Sequence, residues 1–320
     1  MDIKPGGLLR EGWPSFFGAP RCLDLEKLEA QVAFLGVPFD VATNDRPGSR
    51  FAPQAIREAS MRYNDLGEGW LDLERGVSIL QGVTLADCGD VDIRVKPLED
   101  IYDQITEAVG QILARRAFPV LVGGDHAITF PAVRAFQGHP LWVVSFDAHL
   151  DFTDEYLGVR LSHDNEMRRI AELPFVQGVS FIGPRGMVNR RAPYDEALKY
   201  GARVITAEEL AEKGALALRD LPPMERIYLS IDIDVLDPAV CPGTGYPEPG
   251  GLSYYQMRKA IEFVAGLGQI VGLDLMEVNP TYDPSGRTVR TAAYLILHAL
   301  GLAIPARERA QKRLGKRQKS

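Results

Sequence analysis

The chain has 320 residues, 46% hydrophobic and 25% charged, which is enough apolar material for a large α/β core and too much for a disordered chain. A formal net charge of -7 and a pI near 5.4 argue against nucleic acid as a partner, because a phosphate-binding protein carries a basic face. No apolar run approaches ~18 residues, and residues 1–20 lack an apolar stretch flanked by bases, so neither a membrane partner nor a signal peptide is expected.

Residues 1–30 are rich in Gly and Pro and read as an irregular N-terminal arm, of a kind that often packs on a neighbour. Cys22, Cys88 and Cys241 are an odd number without close pairing or metal-type spacing, which fits a reducing cytoplasm better than a disulfide framework. The first predicted strand is Val32–Val37. The turn-rich stretch Asn44–Pro53 follows, and Pro53 opens a short helix over Gln54–Ser60. Further strands are predicted at Val77–Leu80, Val83–Ala86, Pro119–Val122, Leu141–Phe146, Val179–Ile182, Arg203–Thr206, Ile227–Ile233 and Ile270–Leu275. Helical spacing covers Leu98–Ala114, through Ile101, Ile105, Val109 and Ile112, and similar patterns run over Ala127–Phe136, Pro193–Tyr200, Ala207–Ala215, Tyr254–Ala265 and Thr288–Leu302. Strands alternating with helices give a parallel sheet covered on both faces. With no repeat and no long linker, a single domain over residues 31–305 is expected. Residues 306–320 form a basic tail, where Arg307, Arg309, Lys312, Arg313, Lys316, Arg317 and Lys319 face one acid, Glu308.

Three predicted strands end in groups that an apolar core would not choose. Val120–Val122 runs into Gly123-Gly124-Asp125-His126, Val143–Phe146 into Asp147-Ala148-His149-Leu150-Asp151, and Tyr228–Ile231 into Asp232-Ile233-Asp234. Extended chain projects alternate side chains to one side, so Asp147, His149 and Asp151 can converge, as can Asp232 and Asp234. Ligands of open α/β sheets bind beyond the carboxyl ends of strands. Taken singly, each fragment also reads as a cap, a helix entry or an exposed edge. Together their carboxylates would repel in a partly buried site unless two divalent cations balanced them. Carboxylates with a few imidazoles suit manganese and its neighbours rather than a thiolate zinc site.

These stretches closely resemble the three metal motifs of the ureohydrolases, the arginase and agmatinase family. Arg46–Arg57, Pro242–Gly245, Pro247–Ser253 and Met276–Pro280 also look like family blocks in the right order, and the resemblance spans about residues 30 to 300. It implies a three-layer α/β/α sandwich with a single, mainly parallel sheet, assembled as a homo-oligomer (trimer or hexamer), with a hetero-oligomer containing a paralogue as the alternative. The cofactors it implies are two divalent ions, with Mn²⁺ expected first and Ni²⁺ second. His126, Asp147, Asp151 and Asp232 would hold one ion, and His149, Asp147, Asp232 and Asp234 the other. Glu277 stands where the family holds the guanidinium, Asp151 would steer the hydroxide, and His163 stands at the mobile proton shuttle. The implied reaction is hydrolysis of a guanidino compound to urea and an amine.

Two departures bear on specificity. The shuttle histidine continues as His163-Asp164-Asn165-Glu166-Met167-Arg168-Arg169 instead of His-Gly-Thr, and Tyr246 replaces the second Thr of Gly-Thr-Gly-Thr-Pro. Asn165, Glu166 and Tyr246 are therefore expected to line the substrate pocket beside Glu277, with a solvated helix start as the other reading of Asp164 and Glu166. Alternative functions are hydrolysis of small guanidines such as methylguanidines or a biguanide like metformin, formimino or other amide hydrolysis, and a non-catalytic paralogue or sensor.

Overall fold

A computed structural model describes residues 14–64, 69–94 and 96–304. Its strands are β1 (Val32–Val37), β2 (Trp70–Asp72), β3 (Val77–Ile79), β4 (Leu85–Asp90), β5 (Phe118–Gly123), β6 (Leu141–Phe146), β7 (Val176–Ile182), β8 (Arg203–Ile205), β9 (Arg226–Asp232) and β10 (Gln269–Met276). β2 and β3 form a small antiparallel hairpin, and the other eight make one sheet in the order β4-β1-β5-β10-β9-β6-β7-β8. Every pairing in that sheet is parallel. The chain leaves a gap between β5 and β6, moves outward to β8, and then fills the gap with β9 and β10.

The helices are α1 (Ala52–Ser60), α2 (Leu98–Ala114), α3 (Thr129–Arg134), α4 (Glu166–Ala171), α5 (Arg191–Lys199), α6 (Ala207–Lys213), α7 (Tyr254–Ala265) and α8 (Arg287–Ala303). Alternation along the strands sorts the core into two layers. Val32 and Phe34 of β1 pack with α1, α6, α7 and α8, while Ala33, Leu35 and Val37 face α2, α3, α4 and α5. A sheet buried on both faces explains the near-continuous Val, Ile and Leu runs of its central strands. The expected α/β/α sandwich is what the chain forms. Ile101, Ile105, Val109 and Ile112 of α2 are all buried, as their spacing requires. Among the described residues no helix is long and apolar enough to cross a membrane.

Several local expectations are corrected. The fourth strand starts at Leu85 rather than Val83, because Leu80 takes a left-handed backbone, φ 55°, and Val83 N closes a turn onto its carbonyl at 3.1 Å. β2 and α4 had not been anticipated, being three and six residues long, too short to show a period. Residues 14–30 hold two short 3-10 turns, Phe16–Gly18 and Leu25–Lys27, and pack on their own chain: Phe16 stacks on Phe34 with ring centroids 5.3 Å apart. The first part of the arm and the basic tail, residues 1–13 and 306–320, lie outside the described residues.

Candidate metal centre

Four central strands deliver the site. At the end of β5 the backbone of Gly124 passes so close to Phe39 that a Cβ there would lie 1.6 Å from the Phe39 carbonyl oxygen; only glycine allows this approach. Asp125 then caps the turn, accepting from Ala127 N at 3.2 Å and Ala42 N at 2.9 Å, which points His126 inward. After β6, Asp147 accepts from His149 N at 2.6 Å. After β9, Asp232 accepts from Asp234 N at 2.8 Å. Arg185 braces that turn from behind, donating to the backbone oxygens of Asp234 at 2.6 Å and Glu248 at 2.8 Å. After β10, Glu277 accepts from His126 N at 3.0 Å. Asp151 and Glu277 both hold left-handed backbone, φ 46° and 58°, a conformation that costs a non-glycine residue about 1 kcal/mol or more and persists where the surroundings impose it.

All six residues read from the strand ends converge. His126 Nδ1 lies 3.0 Å from Asp147 Oδ2, 3.3 Å from Asp151 Oδ2 and 3.5 Å from Asp232 Oδ2. His149 Nδ1 lies 3.0 Å from Asp234 Oδ2 and 3.4 Å from Asp147 Oδ1. Asp147 thus stands between two donor groups, one with His126 and Asp232, the other with His149 and Asp234.

The hydrogen bonds behind His126 decide what its ring offers. Ser230 Oγ donates to Asp274 Oδ1 at 2.6 Å, and Tyr228 OH donates to Asp274 Oδ2 at 2.8 Å. The Ser230 proton being committed, its oxygen must accept from His126 Nε2, 2.9 Å away. In the neutral ring Nδ1 therefore presents a lone pair to the carboxylates. Lone pair facing carboxylates is repulsive without a cation and a ligand set with one. His126 Nδ1 and Asp147 Oδ2 are buried and lack any hydrogen-bond partner, as donors reserved for a metal would be. The residues fit a pair of divalent ions.

Electrostatics of the bare cluster agree. Burial raises the Asp151 pKa to about 6, helped by Asp147, and burial with the neighbouring Asp234 and Asp147 pushes Asp232 well above the carboxylate range. Burial alone would lower the His126 pKa, but Glu166, Asp147 and Asp151 outweigh it and hold the ring far above its usual value. Cations remove this conflict.

A cavity of about 290 Å³ opens over the cluster, lined by Asp151, Asp232, Asp234, His149, His163, Tyr246 and Glu277, and toward its mouth by Asn44, Tyr156, Asp164 and Arg190. His163 is buried with Nδ1 3.3 Å from Glu277 Oε1, while Asn44 N lies 3.3 Å from Nε2 and donates to it when the ring is neutral. Burial opposes a charge on this ring, yet Glu277, then Asp125 and Asp164, raise its pKa to about 9. The Tyr246 ring stands 5.8 Å from that of His149 and 6.0 Å from that of His163, and its hydroxyl donates to Asn44 Oδ1 at 2.9 Å.

The other two expected pocket residues are elsewhere. Asn165 is fully buried and occupied, accepting from Ser162 Oγ at 2.5 Å and donating to Thr153 O at 2.7 Å. Glu166 neither lines the cavity nor is solvated; it is 2% exposed, and its Oε1 lies 3.7 Å from His126 Nδ1. Opening α4 at this point turns both side chains inward. Sequence reasoning also missed Arg190 and the Ser230–Asp274 pair. A polar Ser230 and Asp274 inside apolar strands were the available signal for the last.

A family model described as "Arginase family" matches residues 30–301. The chain is 39% identical over 276 residues to the mitochondrial guanidino acid hydrolase of Homo sapiens, covering 84% of this chain and 77% of that protein. It is 38% identical to the mitochondrial agmatinase of Gallus gallus, covering 84% and 79%. Among solved structures, proclavaminate amidino hydrolase from Streptomyces clavuligerus superposes with a TM-score of 0.80 at 32% identity, over 91% of this chain and 96% of that one.

Proposed function

The chain belongs to the arginase family, and from that premise we propose how its own residues divide the work and which substrate they select. It is an amidinohydrolase of the agmatinase-like branch, hydrolysing a guanidino compound to urea and an amine. The convergence of six donor residues, four of them buried and two half-buried, with His126 Nδ1 and Asp147 Oδ2 orphaned, supports the assignment of roles. His126, Asp147, Asp151 and Asp232 hold one ion, and His149, Asp147, Asp232 and Asp234 the other, with Asp147 and Asp232 shared. The oxygen-rich donor set favours Mn²⁺, with Ni²⁺ as the alternative. Bound there, the ions supply an activated water at neutral pH and Lewis acidity.

Everything else falls to the side chains. Glu277 receives the guanidinium, where a carboxylate accepts paired charge-assisted hydrogen bonds; its Oε2 faces Gly245, whose missing side chain leaves room. Asp151 takes a proton from the attacking water and passes it to the departing amine nitrogen. His163 exchanges protons between Glu277 and the cavity mouth. A guanidinium on Glu277 neutralises the anion that raises the His163 pKa, so substrate binding itself makes this ring a better donor.

The mouth selects the tail. Arg190 lies over the Tyr156 ring, 5.2 Å from its centroid, with no carboxylate at ion-pair distance among the described residues, whereas Asp164 opposite is engaged by Asn44 Nδ2 at 2.8 Å. A free guanidinium at the mouth favours a substrate ending in a carboxylate over one ending in an amine. Urea release measured with guanidino acids, agmatine, arginine and unsubstituted guanidine, after loading with Mn²⁺ or Ni²⁺, tests this. Guanidino acids are expected to give the highest kcat/KM, and Arg190→Ala to raise KM for them about tenfold or more while leaving guanidine unaffected. Faster turnover of agmatine would overturn the tail assignment.

For assembly we propose a homo-oligomer, supported by exposed Leu71 (66%) and Leu73 (78%) at the hairpin. The compartment is a reducing one such as the cytoplasm, in keeping with Cys22, Cys88 and Cys241 all being free thiols.

A further inference from the structure

Among the described residues no lysine or arginine pairs with Glu166, and the basic group near it is His126. Both of its carboxylate oxygens are buried without a hydrogen-bond partner, a state unfavourable to an ionised group. The arginines of its own helix are spent elsewhere. Arg168 donates to Glu172 at 3.0 Å, and Arg169 reaches Asp154 at 2.5 Å and Glu172 at 3.1 Å. The nearest ring atom, His126 Nδ1, is itself one of the donors that would hold the ion, its Nε2 facing Ser230.

The surroundings do offer one neutralising place. A carboxylate oxygen of Glu166 and donor atoms of His126 and Asp151 all lie within 4.8 Å of one another, and His126 Nδ1 is 3.7 Å from Glu166 Oε1 and 3.3 Å from Asp151 Oδ2. Ligands each about 2.0–2.2 Å from one ion stand roughly 3–4.4 Å apart. We propose that Glu166 is an additional carboxylate ligand of the divalent ion held by His126 and Asp151, brought in by α4 in place of the substrate contact expected of that segment. This rests on the two-ion reading given above. It makes the two ion sites unequal: the one at His126 carries an extra negative charge from outside the four strand ends, and binds its cation more tightly.

The test is metal binding, not turnover. Protein stripped with a chelator is titrated with Mn²⁺ by calorimetry, and bound metal is counted after desalting, for the wild type, Glu166→Gln and Glu166→Asp. Wild type is expected to take two ions per chain. Glu166→Gln should weaken one of them by at least about tenfold (1.4 kcal/mol) and leave the other unchanged, with Glu166→Asp between the two. Equal, unaltered affinities in a folded Glu166→Gln protein would overturn the proposal and make Glu166 a neutral acid. A wild type that takes up fewer than two ions would instead overturn the two-ion reading beneath it. Should Glu166→Gln fail to fold, anomalous scattering from Mn²⁺-loaded wild-type crystals decides: the carboxylate in bonding contact with the ion at His126 supports the proposal, and a carboxylate away from it overturns it.

Discussion

His163 rests with Nδ1 against Glu277, and its charge is a stability term as well as a catalytic one. Its folded pKa of about 9 stands above the ordinary histidine value near 6.5. Protonation therefore favours the folded state: the contribution is complete below pH ~6.5 and is lost as pH rises through about 9. In chelator-treated protein, His163→Asn is expected to cost about 1–3 kcal/mol at pH 6 and close to nothing at pH 9.5, read from urea midpoints at the two pH values; an equal loss at both would refute the pairing. At this scale the strand-end acids and imidazoles were visible in the sequence because extended chain obeys a period of two. The pocket mouth was not. Tyr246 meets Asn44 across 202 positions, and no local pattern encodes such a meeting. Glu166 was misplaced for the same reason, since a polar residue opening a helix looks solvated until the packing of α4 against α3 and β7 buries it.

Among the elements, α1 is tied to the sheet by charge as much as by its apolar face. Arg57 is 3% exposed and donates to Asp87 at 2.8 and 3.0 Å, to Asp90 at 2.6 Å and to the Gly89 carbonyl at 2.9 Å. Asp87, also fully buried, accepts in addition from Phe16 N at 3.1 Å. Arg57→Met is expected to destabilise the protein by about 3–5 kcal/mol by stranding Asp87, and Asp87→Leu in the same chain to recover part of that, as measured by denaturant titration. Recovery by the double variant separates a stranded charge from lost packing. The helix Gln54–Ser60 was readable from Pro53 and its apolar spacing. That its fourth residue would bind a strand end and support the Phe16 ring at 4.2 Å depends on residues 30 positions away and beyond, which no local pattern encodes.

For the molecule as a whole, the layered α/β/α plan was readable because alternating strands and helices leave few other solutions; strand order was not, since β9 and β10 insert between β5 and β6 rather than extending an edge. That insertion places the acidic cluster at the middle of the sheet, where mutual repulsion opposes folding. Divalent metal is therefore expected to raise the unfolding temperature, by a free energy of about 2.7 kcal/mol at a hundredfold excess over Kd, and a chelator to lower it. Scanning calorimetry with Mn²⁺, Mg²⁺ and chelator checks this; identical curves would mean that the acids are balanced in some other way.

The late insertion of β9 and β10 also sets a timetable for biosynthesis. A chain emerging from the ribosome through residue 205 has built β1 and β4 to β8 but owns no complete ion site, for Asp232 and Asp234 are still unsynthesised. Until then β5 and β6 each present an open parallel edge, the kind of surface on which nascent chains pair wrongly. Ion capture is consequently a last event of maturation. A translation product cut short before β9 lacks the donors to complete either site, which separates it chemically from the finished enzyme.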